Sequence, residues 1–161
     1  MAECKVVDMQ FFETAPKCFT NEMEFDVSVE SVFESFKRAE DWPLWVDSIG
    51  KVDWTTPEPF GLGTTRRVTF TSGKYSDELF IAWEPNRRMA FCFTETDQPG
   101  THSFAEDYVL TDLGNGRSKL VWRVAFDPAG FSKVIFFLFG FAINKVFKTA
   151  LAEFKVFIEK K

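Results

Sequence analysis

The stretch THSFAEDYVL places His102, the only histidine of the chain, four residues before Glu106 and six before Tyr108. Imidazole, carboxyl and phenol are the groups that most often carry protons in enzyme sites. On a strand, even spacing puts all three on one face, but His102 and Glu106 then lie roughly 13 Å apart at Cα, too far for a direct dyad. His102 would more readily meet Glu95 across the Asp97-to-Gly100 hairpin, while Glu106 and Asp77 could meet elsewhere in the sheet. The candidate acid-base set is therefore Glu106, Tyr108, His102 and Asp77. Blander readings stand beside it. His102 can be a strand-end residue near solvent, and Glu106 can pair with Arg66 or be turned outward by a bulge.

Other chemistry is missing from the sequence. There is no G-x-S-x-G elbow, phosphate loop or dinucleotide fingerprint. One histidine and three scattered cysteines (Cys4, Cys18 and Cys92) offer no metal-ligand spacing. We expect no cofactor, no metal and free thiols. GLGT, at Gly61 to Thr64, opens a strand rather than a helix and reads as a tight backbone passage, not a phosphate cradle.

The chain carries 21 Phe and five Trp against two Tyr, with a net charge of −5. Aromatic bulk on this scale can fill a core or line a cavity that accepts rings and acyl chains. The acidic balance and the absence of a Lys/Arg run argue against nucleic acid as a partner. No apolar stretch at the N-terminus is followed by a small-residue cleavage site, so a cytoplasmic location is expected.

At 161 residues, one domain is the economical division, with residues 1–18 as an arm and 19–161 as the domain. Phe19 to Val27 alternates as a strand with one wet face. Ser28 is placed as an N-cap before Val29, Val32, Phe33 and Phe36 at helical spacing, and EDWPLW supplies a second short helix. Six further strands are separated by turn chemistry, with Asn115-Gly116 the strongest hairpin signal. A long helix from Ser132 to Glu159 closes the chain. The expected class is α+β, a seven-stranded antiparallel sheet with a long C-terminal helix against it and two short helices after the first strand.

Strand parity assigns the inner face. Tyr75, Leu79, Ile81 and Trp83 take Asp77 with them. Met89, Phe91 and Phe93 take Glu95, and Phe104, Tyr108 and Leu110 take His102 and Glu106. Leu120, Trp122, Val124 and Phe126 form a further inner set, and Arg66 shares its side with Val68 and Phe70. On the helix, Phe136, Phe139, Gly140, Ile143 and Phe147 begin a stripe expected to face the sheet. From these faces the expected ligand-contacting set is Arg66, Phe70, Leu79, Ile81, Trp83, Phe91, Phe93, Phe104, Trp122 and Val124, completed by those five helix residues.

VSVESVFESFKRAEDWPLWVDSI, GLGTTRRVTF, WEPNRRMAF and FKTALAEFKVFIEK, in this order, resemble the START-like (SRPBCC) superfamily, in particular its polyketide cyclase/dehydrase-like branch. The resemblance implies a helix-grip fold, with the sheet curved around the C-terminal helix and a cavity between them. It implies a pocket more firmly than a reaction, since the superfamily includes carriers, sensors and enzymes. Two functions follow as expectations. One is a carrier or sensor of a lipid, isoprenoid or aromatic polyketide-like molecule; the other is a cyclase or dehydratase using the inward polar groups.

A third reading, an interaction module, comes from the helix itself. Val134, Phe137, Leu138 and Phe141 are apolar on the side that should meet water. We expect the N-terminal arm or the Trp42/Trp45 region to cover them, or else a homodimer contact, a ligand gate or a transient membrane contact. Ten apolar residues in a row are too few to span a bilayer, which needs about 20.

Overall fold

The structure, a computed structural model, describes residues 2–161, apart from the side chains of Ala2, Phe136 and Phe137. After a two-residue strand β1 (Ala2–Glu3) and a short helix α1 (Phe11–Thr14) come β2 (Lys17–Phe25), α2 (Val29–Lys37) and a 3-10 turn (Ala39–Leu44). Six strands follow: β3 (Ile49–Trp54), β4 (Thr65–Phe70), β5 (Tyr75–Glu84), β6 (Arg88–Thr96), β7 (Thr101–Gly114) and β8 (Arg117–Pro128). Helix α3 (Ser132–Ile158) ends the fold. The expected α+β architecture is present: an open antiparallel sheet in the order β2-β8-β7-β6-β5-β4-β3, with β1 added beside β6.

Local chemistry accounts for the element boundaries. The Ser28 side chain accepts from the Ser31 backbone N–H and starts α2, which buries Val29, Val32, Phe33 and Phe36. Asn115 and Gly116 both have positive φ (54° and 72°), as the tight β7–β8 hairpin requires. Trp42 and Trp54 donate their indole N–H groups to the carbonyls of Phe36 and Lys37, which ties the 3-10 turn and β3 to the end of α2.

Both faces of the sheet are covered. On the inner face, Phe25, Phe36, Trp45, Tyr108, Leu120, Leu151 and Phe154 share one core with α2 and the second half of α3. On the outer face, Phe12 packs against Ala90, Cys92, Ala105 and Ala125, with Val7, Met9, Leu79 and Ile81 around them. The N-terminal arm thus covers the back of the sheet and not the apolar start of α3, contrary to expectation. An ion network around the buried Asp107 extends to the arm: Asp107 accepts from Arg88 and Arg123, and Arg123 also reaches the exposed Glu13 at 2.8 Å.

Helix α3 is not one straight rod. Phe139 leaves helical geometry (φ −120°, ψ 17°) and kinks it just before Gly140. A Cβ at Gly140 would reach only ordinary van der Waals contact with Phe19, at 3.9 Å, so space does not demand glycine there. Gly140→Ala should therefore stabilise the fold by about 0.5–1 kcal/mol, the ordinary helix-propensity difference. A raised midpoint in urea unfolding checks this.

Candidate ligand-binding cavity

A cavity of about 320 Å³ lies between the inner face of the sheet, the 3-10 turn and the second half of α3. Its apolar wall includes Trp42, Trp45, Val68, Phe70, Phe91, Phe93, Phe104, Trp122, Phe126 and Phe147. The polar groups on it are few: Arg66, Glu78, Glu106 and Tyr108, with Ser48, Gln98 and Thr101 nearer the rim of the lining. The size falls at the lower end of the range for small-molecule sites, about 300–1,000 Å³.

Arg66 and Glu78 are direct cross-strand neighbours in the β4–β5 ladder and both are buried. Arg66 Nε donates to Glu78 Oε2 at 2.5 Å. The guanidinium also lies over the rings of Trp42 (4.4 Å), Phe91 (5.0 Å), Phe80 (5.2 Å) and Trp54 (5.4 Å). This box of π-faces replaces part of the hydration a buried cation loses. Burial raises the Glu78 carboxyl above its ordinary range despite the neighbouring Arg66.

Glu106 sits on β7 facing Tyr108 and Trp122. The Tyr108 hydroxyl donates to Glu106 Oε2, and the Trp122 indole N–H donates to the same oxygen at 3.0 Å. Burial nevertheless pushes the Glu106 carboxyl up to about 7, with the Glu78 charge adding to the rise and the two donors and Arg66 opposing it. The phenol of Tyr108 is likewise held well above its usual value, by burial first and then by the Glu106 charge. Near neutral pH, Glu106 can therefore hold or release a proton inside an apolar cavity.

Arg66 and Trp45, two residues of the lining, each bury a donor that has no acceptor among the described residues: Arg66 Nη1 and Trp45 Nε1. Buried donors without partners are uncommon in native proteins, and each costs free energy until something accepts from it.

The structure redistributes the residues expected at the site. Arg66, Phe70, Phe91, Phe93, Phe104, Glu106, Tyr108, Trp122 and Phe147 line the cavity. Val124 is buried in the inner core behind it, and Trp83 packs further along the same face against Phe33 and Phe80. Asp77, Leu79 and Ile81 lie on the opposite face. Strand β5 has an extra residue at Ile81, where Phe80 pairs with Phe91 but Ala82 with Ala90, so Trp83 and Leu79 cannot share parity. The inward carboxylate of β5 is Glu78, not Asp77, which pairs with Arg67 on the outside.

A second bulge, at Thr94, sends Glu95 to the outer cluster, where the Tyr75 hydroxyl donates to it. A third, at His102, leaves the imidazole exposed between Thr101 and Ser103. His102 and Glu95 therefore do not meet in the cavity. On α3, Phe139 is exposed, Gly140 and Ile143 are half-buried but off the cavity wall, and the Phe136 side chain lies outside the described residues. Trp42, Trp45, Ile49 and Glu78 line the cavity without having been assigned to it from the sequence; Val68, on the expected inner face, and Ala150, further along the expected helix stripe, line it too. Trp42 and Trp45 were legible as apolar anchors, but nothing in their local pattern reported the cavity.

Residues 16–158 match the family described as polyketide cyclase / dehydrase and lipid transport. The chain belongs to that family. Two relatives are uncharacterized proteins of Mycobacterium tuberculosis (strain H37Rv) and Mycobacterium bovis; each is 41% identical over 144 residues, covering 89% of this chain and 86% of the relative. Among solved structures, a START superfamily protein from Mycobacterium smegmatis superimposes with a TM-score of 0.65 at 13% identity, covering 89% of this chain and 94% of that one. The di-domain ARO/CYC BexL from the BE-7585A biosynthetic pathway gives 0.73 at 15% identity; the match covers 89% of this chain and 46% of BexL. These likenesses show the START-like fold. Membership in the polyketide cyclase/dehydrase and lipid transport family supports hydrophobic small-molecule binding as the general activity. Among the described residues no helix is long and apolar enough to cross a membrane.

Proposed function

We propose that the protein binds one hydrophobic, ring-bearing small molecule in this cavity, as a carrier or sensor, and that the molecule presents an oxygen to the polar end of the site. The observation behind this reading is a pair of buried donors without acceptors among the described residues, Arg66 Nη1 and Trp45 Nε1, on two residues of a largely aromatic lining. A carbonyl or hydroxyl oxygen would accept from them, and Glu106 would accept from a ligand hydroxyl. A carboxylate ligand fits less well, because Glu78 and Glu106 face one guanidinium. Native mass spectrometry of freshly purified protein should show a bound species of small-molecule mass that carries hydroxyl or carbonyl oxygen. A co-purified fatty acid, with its carboxylate, would contradict the reading.

A second reading, a cyclase- or dehydratase-like enzyme, draws on the Glu106 carboxyl at about 7 beside Tyr108. There the cavity would fold a reactive substrate while Glu106 moves the proton and Tyr108 orients it. The two candidate acid-base groups then separate experimentally. His102→Ala should leave ligand affinity or turnover within about twofold, since the imidazole is exposed, whereas Glu106→Gln should lower turnover at least about 100-fold if Glu106 is the base. Turnover insensitive to Glu106→Gln would leave only the binding reading.

A further inference from the structure

Among the described residues, the start of α3 leaves a row of apolar side chains exposed. Phe131, Val134, Ile135, Leu138 and Phe141 are exposed there, Leu138 by 58% and Phe141 by 79%. Its charge differs from the rest of the molecule. Between Gly130 and Ala152 there are three lysines, Lys133, Lys145 and Lys148, and no Asp or Glu, in a chain whose net charge is −5. All three lysines are exposed.

We propose that this face docks reversibly on the surface of an anionic lipid bilayer, with Leu138 and Phe141 entering the headgroup–acyl boundary and the lysines meeting the lipid phosphates. Exposed apolar side chains flanked by lysines match an anionic interface in both respects. A second copy of the chain fits less well, because a two-fold contact would bring two +3 segments together. Position adds a further reason. Val146 lines the cavity while remaining 66% exposed, and Pro99 on the same lining is one residue from Gly100, which touches Ser132 at the start of α3. The docking face therefore borders the cavity's open side. The kink at Phe139 gives the first turns of α3 their own direction, away from the straight run that packs on the sheet.

The test is co-sedimentation of the full chain with phosphatidylcholine vesicles and with mixed phosphatidylcholine/phosphatidylglycerol vesicles. It is read without any cavity ligand, so it stands apart from the proposed ligand binding. The parent should pellet with the mixed vesicles and much less with the neutral ones, and added salt should release it. Phe141→Glu and the double change Lys145→Glu/Lys148→Glu should each lower the bound fraction about tenfold or more, with unfolding midpoints unchanged. A parent that stays in solution with both vesicle types, or binding that survives both variants, overturns the proposal. A parent that sediments as a dimer without vesicle binding, and that Phe141→Glu makes monomeric, assigns the face to a second copy and overturns it too.

Discussion

Arg66→Ala is expected to destabilise the fold by about 3–5 kcal/mol, the cost of leaving a buried carboxylate without its counter-charge. Glu78 is as buried as Arg66, accepts from Arg66 Nε, and already has a raised carboxyl with the guanidinium in place. Without the guanidinium the carboxyl would rise further and take up a proton. The loss should therefore be largest at high pH and smaller in mild acid. The change also empties the space between Trp42, Trp54, Phe80 and Phe91. Urea unfolding at two pH values measures both effects.

The double change Arg66→Met/Glu78→Leu separates charge from packing. Replacing a buried ion pair by apolar residues of similar volume is often neutral or stabilising, so the double variant should recover most of the lost stability. Its ligand affinity should stay low, because the donor Arg66 Nη1 is gone. Were Arg66→Ala to cost under about 1 kcal/mol, Glu78 would have to be solvated or neutral in the parent.

The second large effect belongs to Glu106. Its carboxyl binds protons more tightly in the folded protein, at about 7, than in the unfolded chain, where it keeps the ordinary value of 4.5. Between those two values the native state holds more protons than the unfolded state. Stability must then fall as pH rises through that window, and the loss is complete above it. The contribution is on the order of 3 kcal/mol. Glu106→Gln keeps an acceptor for Tyr108 and Trp122 but cannot ionise, so its stability at pH 8 should exceed the parent's and its slope across the window should shrink. Glu78 pushes the same way, which leaves some slope behind. Unfolding midpoints of the two proteins at pH 5 and pH 8 decide it; parallel curves would mean that Glu106 is solvated.

How far the sequence revealed the site depended on whether the two faces of a strand differ in residue type. On β7 and β8 the expected inner residues, from Phe104 to Leu110 and from Leu120 to Phe126, do face the core. Polar and small residues alternate with them, among them Asp107 and Ala125. On β5 the outer side is covered by the arm through Phe12, so Leu79 and Ile81 are apolar for a reason unrelated to the cavity. Alternation then carries no information on which side is inner, and the extra residue at Ile81 completes the error. His102 and Glu95 were misplaced by the same cause, single-residue bulges that leave no sequence mark.

The long helix was legible as an element and in its second half, where Leu151 and Phe154 are buried as the 3.6-residue period requires. Its first half was not. An all-apolar run has no wet side from which to read orientation, and Phe139, expected inside, is exposed at the kink. Trp42, Trp45 and Glu78 reach the cavity through tertiary placement that no local pattern encodes.

The space between Trp45, Arg66, Glu106 and α3 is proposed to hold a single hydrophobic, oxygen-bearing molecule. Native mass spectrometry of the protein mixed with naphthol, beside the cavity-filling variant Ala150→Trp, tests it most directly, since Ala150 lines the cavity from α3. One naphthol should bind the parent and none should bind Ala150→Trp at the same concentration. No complex with the parent, or equal complexes with both proteins, would contradict the assignment of this cavity as the binding site.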